Sequence, residues 1–264
     1  MIDFLVLALG VEKAEAMRQF LSMVSGGHVM TESIPARPAP RGLALPALRR
    51  PTPEEIEAIA VMRHIDPAAV DCAVRLSLLR MGTVHGQTCW ILLDDSLKVA
   101  EARRLDGRIF PAVGTLSERK AHTIKGSSKA WPVGTAVLRK RPGFRAIIMV
   151  EGGPDVLAGL HYALDAADVL PVAMLGRSVG GRIDPEALNL LKGRRIRICP
   201  HDDPDGGGMA SAKRWADQLH VNGCEVDYFT FSGLTRRDGV PAKDLNDTTV
   251  LADADMAKLS DLLP

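Results

Sequence analysis

Arg145-Ala146-Ile147-Ile148-Met149-Val150-Glu151-Gly152-Gly153-Pro154-Asp155 is the stretch whose reading decides the fold. Its apolar run, Ala146 to Val150, has the length and composition of a short buried strand. Glycines and a proline then turn the chain, and a helix-like segment follows. The same grammar returns downstream. Ile196-Arg197-Ile198-Cys199 runs out at His201-Asp202-Asp203-Pro204-Asp205-Gly206-Gly207-Gly208, and residues 209–219 read as helix. Two strand tips therefore deliver acidic side chains to one edge of one sheet. Carboxylates gathered at the C-terminal edge of a parallel sheet, each beside glycine, suit a hard cation.

Working outward, residues 143–264 read as alternating strand and helix. Strands are expected near 145–150, 169–175, 195–199 and 225–231, and helices near 154–166, 184–192, 209–222 and 252–263. That alternation predicts a parallel sheet covered by helices. Upstream, residues 52–142 read as a smaller α+β unit. Thr52-Pro53-Glu54-Glu55 opens one helix with a cap, a proline in the first turn and acids at the positive end. A second helix begins at Asp66-Pro67, carries Val70, Val74, Leu76 and Leu79, and closes at Gly82. The period then changes to strands over 88–93 and 97–104, joined by a turn at Asp94-Asp95-Ser96. Residues 120–134 are polar, basic and loop-like. Residues 1–51 hold a helix over 3–24 and then a linker rich in proline and arginine over 35–53.

Composition excludes several classes. The chain has 264 residues, a formal net charge of +1 and no apolar run long enough to cross a bilayer, so no membrane association is expected. The first residues lack a basic leader, and a cytoplasmic protein is expected. Four cysteines, Cys72, Cys89, Cys199 and Cys224, form no C-x-x-C pair, and no zinc is expected in this chain. With so small a net charge, any binding of nucleic acid falls to local patches. Arg139-Lys140-Arg141, Arg194-Arg195 with Arg197, and Arg236-Arg237 are the candidates. Gly176-Arg177-Ser178-Val179-Gly180-Gly181 has the glycines of a phosphate loop without its lysine, so an ATPase is not expected. His161 and His220 fall on helices and read as partly buried packing residues.

Each acidic turn alone is ordinary turn chemistry. Together they are harder to dismiss, because folding has no need of so many carboxylates in one place, where they repel. Glu151-Gly152-x-x-Asp155 followed by Asp203-x-Asp205-x-x-Gly208 resembles the signature of the TOPRIM domain, over residues 145–264. The resemblance implies Mg²⁺ or Mn²⁺ held by Asp203, Asp205 and Glu151, phosphodiester chemistry, and Glu151 as general acid or base. Asp155 completes the first motif. Two registers are open. One uses Asp203, Asp205 and Gly208. The other aligns His201, Asp203 and Gly206, and puts an imidazole where a hard cation prefers oxygen. The oxygen argument favours the first.

Lys243-Asp244-Leu245-Asn246-Asp247 resembles the Asp-Leu-Asn-Asp element of phage- and plasmid-borne primases, with Asp247 its candidate contact. Residues 52–134 resemble more loosely the N-terminal part of a primase core. By that likeness Arg103 and Lys125 would contact template or nucleotide phosphate, with Arg177 near substrate. The opening helix looks like the segment after the zinc ribbon of such primases, and no ribbon precedes it here. The expected function is then Mg²⁺-dependent synthesis of short RNA primers on single-stranded DNA from nucleoside triphosphates, in a phage, plasmid or integrated element. A replicative helicase is a further partner of that reading. The alternatives are a TOPRIM nuclease and a non-catalytic DNA-binding module of a degenerate primase.

Overall fold

The computed structural model describes residues 15–17, 42–175 and 181–264. The chain divides into two compact units, Met1–Pro40 and Arg41–Pro264. In the first, residues 15–17 are helical, and the rest of the helix expected over 3–24 lies outside the described residues. Elements below belong to the second unit.

Thr52 starts α1 (Pro53–Arg63) as expected. Its hydroxyl accepts from the Glu55 N–H, and the Glu55 carboxylate reaches back to the Thr52 N–H. His64 ends it in the left-handed region at φ 53°. Asp66 caps α2 (Pro67–Arg75) by accepting from the Ala68 N–H at 2.7 Å. The expected continuation of this helix to Gly82 is corrected. It stops at Leu76, and Leu79–Val84 is instead strand β1. Gly82 is no helix stop: it lies mid-strand, where a Cβ would come within 2.9 Å of Ile91 Cδ1.

β1 pairs antiparallel with β2 (Gln87–Leu93), β2 with β3 (Ala100–Arg104), and β3 with β4 (His122–Thr123). The strand expected over 97–104 begins only at Ala100, because Leu97 at φ 51° belongs to the preceding turn. β4 falls in the stretch expected to be loop. A short helix, α3 (Val137–Lys140), leads to the second sheet.

That sheet has four parallel strands in the order β6-β5-β7-β8. They are β5 (Ala146–Val150), β6 (Val169–Ala173), β7 (Arg195–Ile198) and β8 (Glu225–Tyr228), each within the span read from sequence. All of β5 and β6 is buried, as a strand covered on both faces should be. Between them run α4 (Gly153–Tyr162), α5 (Pro185–Leu191) and α6 (Gly207–Val221). The helix expected over 252–263 is instead a 3-10 turn, Asp253–Leu259, preceded by another at Asn246–Val250. The fold is thus α/β: a parallel sheet flanked by helices, with a smaller antiparallel sheet upstream.

One apolar core runs from α1 and α2 through Trp90 and Leu92 to the parallel sheet and its helices. The other face of the antiparallel sheet has its own small core, covered by Leu43, Leu45 and Leu48 of the extended segment before α1. Of the sequence's basic runs, two are taken up in holding this fold. Arg197 pairs with Asp227 at 2.5 Å, Arg194 donates to the Phe144 carbonyl, and Arg139 pairs with Glu186. His161 is half-buried and accepts from the Asp66 N–H at 3.2 Å. His220 is exposed, which corrects its reading as a packing residue. Among the described residues no helix is long and apolar enough to cross a membrane.

Candidate active site

The tips of β5 and β7 lie side by side. Met149 pairs with Ile198, and the Cys199 N–H donates to the Met149 carbonyl at 2.9 Å. Glu151 leaves the first tip and His201 the second. The Glu151 Oε1 accepts from the His201 N–H at 3.3 Å. Asp155 sits in the first turn of α4, only 3% exposed, where the helix dipole favours a negative charge. Its Oδ2 lies 3.1 Å from His201 Nε2, and its Oδ1 accepts from the Asn246 N–H at 3.0 Å. Asp244 completes the cluster: one ligand atom each from Asp155, His201 and Asp244 lie within 4.8 Å of one another.

Burial and neighbouring charge both act on these groups. Burial pushes the Glu151 carboxyl up; His201 opposes that, and the nearby charges of Asp203 and Asp155 add to it. Burial likewise raises Asp244 to about 7, helped by Asp155 and Asp247. Burial alone would lower His201. The hydrogen bond and charge of Asp155, with Glu151 and Asp244, outweigh it and raise the imidazole to about 9. His201 is then a cation at neutral pH, set among carboxylates.

Gly208 keeps this arrangement tight. A Cβ there would lie 2.2 Å from the His201 carbonyl oxygen, so the first turn of α6 can close on the β7 tip only without a side chain. Gly153 is similarly pressed on Trp90, at 3.1 Å.

Beside the acids is a wall of cations. Arg103, on β3, is held by Glu101 at 2.9 Å, and its Nη2 lies 3.8 Å from where a Gly152 Cβ would be. Arg63, the last residue of α1, lies 5.7 Å from the Trp90 ring centroid, and its Nε is buried without a hydrogen-bond partner. Burial and the Arg103 charge lower its pKa to about 10 against the pull of Asp155 and Asp244. Arg63, Arg103, Arg104, Arg108 and Lys120 line a cleft of about 260 Å³. Arg104 pairs with Asp106, while Arg108 and Lys120 are exposed.

The sequence-predicted residues separate accordingly. Glu151, Asp155 and His201 come together, with Asp203 close enough for its charge to act on Glu151. Arg103 borders them. Asp205 is exposed and accepts from the Gly207 N–H at 3.0 Å, at the start of α6. Asp247 pairs with Arg236 at 3.1 Å and accepts from the Lys243 N–H at 3.0 Å. Lys125 is exposed on the turn after β4 and does not line the cleft. Arg177 lies outside the described residues. Asp244, Arg63, Arg108 and Lys120 escaped the sequence reading. Asp244 was visible as the first acid of the Asp-Leu-Asn-Asp element, while nothing local marks Arg63.

The donor set fits a hard cation. Glu151, Asp155, Asp203 and Asp244 offer oxygens, and burial with neighbouring carboxylates disfavours the ionised form of Glu151 and Asp244, which a bound divalent ion would favour.

No family model matches the chain, and no curated protein matches it in sequence. Solved structures do. A DNA primase domain from Pseudomonas aeruginosa aligns at 17% identity and TM-score 0.41, covering 83% of this chain and 64% of its own. The primase fragment of the bacteriophage T7 primase-helicase aligns at 14% identity and TM-score 0.43, covering 71% and 66%. A structure of T7 lagging-strand DNA polymerase interacting with primase domains bound to an RNA/DNA hybrid and dTTP aligns at 13% identity and TM-score 0.42, covering 76% and 85%. The chain thus spans about two thirds of the first two, and each is a likeness of fold.

Proposed function

We propose that this protein is a primase-type nucleotidyltransferase that joins ribonucleotides on a single-stranded DNA template. One observation carries the reading: Glu151, Asp155, His201 and Asp244 crowd together at the tips of adjacent parallel strands, beside the cleft lined by Arg63 and Arg103. Acids that can hold a divalent cation next to guanidiniums that can hold phosphate is the arrangement phosphoryl transfer asks for. Asp203, with Glu151 and Asp155, would hold Mg²⁺, which when bound supplies positive charge to the phosphates.

The side chains do the rest. Glu151, whose buried carboxyl is raised above the usual range, takes the proton of the attacking 3′-hydroxyl. That oxygen bonds to the α-phosphorus as pyrophosphate leaves. Arg63 and Arg103 bind the triphosphate oxygens, and Arg108 and Lys120 hold the template backbone. Asp155 orients His201 through their hydrogen bond.

Primer synthesis from labelled nucleotides on single-stranded DNA with Mg²⁺ tests this. Product in the wild type, lost in D203A, is expected. Nicking of a plasmid without primer product would move the assignment to a nuclease.

His201 favours a second reading. Its imidazolium already supplies a positive charge among the acids, so the cluster can persist without an ion, as in a non-catalytic DNA-binding module. Absence of any Mg²⁺-dependent thermal shift would select that reading.

A further inference from the structure

A second cleft, of about 490 Å³, lies on the other side of Arg63. The C-terminal end of α1 forms one wall, with Arg63 and His64. The chain from Arg236 to Val250 forms the other. Thr249 Oγ1 pins the two walls together by donating to the Arg63 carbonyl at 3.0 Å, and the Arg237 N–H closes the second wall on itself through the Val250 carbonyl at 2.8 Å.

Three polar atoms of residues lining this cleft are buried without a hydrogen-bond partner: Arg63 Nε, Arg236 Nε and Asn246 Oδ1. They come from three separate segments. An unmade buried hydrogen bond costs stability. Folding gains nothing from collecting three in one place. The rest of the Arg236 guanidinium is engaged, Nη1 with Asp247 at 3.1 Å and Nη2 with Asp238 at 2.6 Å, which fixes its plane. Arg237 lies alongside and is two-thirds exposed.

We propose that this cleft is a phosphate-binding site, distinct from the acidic cluster, that takes a nucleotide unit on Arg63, Arg236 and Arg237. Asp238 and Asp247 also line the cleft and occupy both Nη groups of Arg236, so what remains for phosphate oxygens is the exposed Arg237 guanidinium with the unpartnered Nε–H groups of Arg63 and Arg236. The volume suits a nucleotide rather than a bare anion. Asn246, whose amide oxygen and nitrogen can exchange places, meets the edge of a base or a sugar hydroxyl. The phosphate is either the triphosphate of a free nucleotide or a diester of a strand. The inference does not rest on the proposed reaction, because it needs neither metal nor turnover.

Binding of ATP and of a short oligo-dT strand, each titrated in EDTA by calorimetry, tests it. The variants are R236K, which keeps the charge facing Asp247 but loses the fork, and R237M, at an exposed position. Each weakens binding about tenfold for the ligand that uses the cleft, while D203N does not. Loss for ATP assigns a free nucleotide, and loss for oligo-dT assigns a strand. Wild-type binding of neither ligand overturns the proposal. So does binding unchanged in both arginine variants with thermal stability retained, or binding weakened as much by D203N.

Discussion

Two buried acidic regions in this molecule have opposite characters. Asp94, in the turn after β2, is 1% exposed. Its Oδ2 accepts from Trp131 Nε1 and the Gly134 N–H at 2.9 Å each, and from the Ala136 N–H at 3.2 Å. Its Oδ1 takes the N–H and hydroxyl of Ser96. Every lone pair is used, and one side chain ties the antiparallel sheet to the approach to α3. At the cluster of Glu151, Asp155 and Asp244, burial first and the neighbouring carboxylates second raise the proton affinity of Glu151 and Asp244. A carboxylate saturated by N–H groups belongs to the fold, whereas carboxylates crowded beyond their donors point to a ligand.

The sharpest way to break this contrast is at Asp94. D94A orphans the Trp131 indole, the Ser96 hydroxyl and three backbone N–H groups, and should destabilise the protein by about 3–5 kcal/mol, read by chemical denaturation. A loss below about 1 kcal/mol would erase the distinction. The mirror substitution is E151Q. It should leave the melting temperature unchanged or raised while cutting primer synthesis by about 10²–10³-fold. Unfolding instead would make Glu151 a second Asp94.

pH sharpens the comparison next. His201 titrates near 9 when folded against an ordinary 6.5, so its stabilising contribution is full below pH 6.5 and is lost as pH rises through 9. H201Q should flatten the fall in stability over that window, by about 1–3 kcal/mol, in denaturation at pH 6 and 9.5 without metal. The smallest effect concerns Asp244. Its folded carboxyl keeps a proton up to about pH 7, which the unfolded chain releases near 3.8, so ionising it costs the folded state stability. D244N should therefore stabilise the metal-free protein at pH 8 by about 1–2 kcal/mol, with no gain at pH 4, and should shrink the Mg²⁺-dependent thermal shift. Equal melting temperatures at pH 8 would put Asp244 with the satisfied acids.

β5 and β6 were legible as apolar runs of strand length, whereas β7 and β8 alternate apolar with charged residues and were read from their place between helix-like segments. The helix read through to Gly82 failed because Leu76, Leu79 and Gly82 keep a helical spacing while Leu78, Leu79 and Met81 also fit a buried strand. Tertiary pairing with β2 decided between them. At the site, the acids were legible because they sit in sequence at strand ends. Of the cations only Arg103 was marked, by its likeness to a primase core. Residues 63, 103, 104, 108 and 120 are gathered by the antiparallel register and the docking of α1, which no local pattern encodes. Asp244 and Asp247 lie on one short turn, yet Asp247 pairs with Arg236 while Asp244 lies by His201, a difference that only the tertiary fold decides.

Arg63 lines both clefts. A guanidinium has one charge and one plane, so an anion seated on either side draws it away from the other. Two such anions compete across a common wall, and thermodynamic reciprocity requires each to weaken the other by the same factor. With both proposed sites filled, that one side chain would couple the two compartments as competitors.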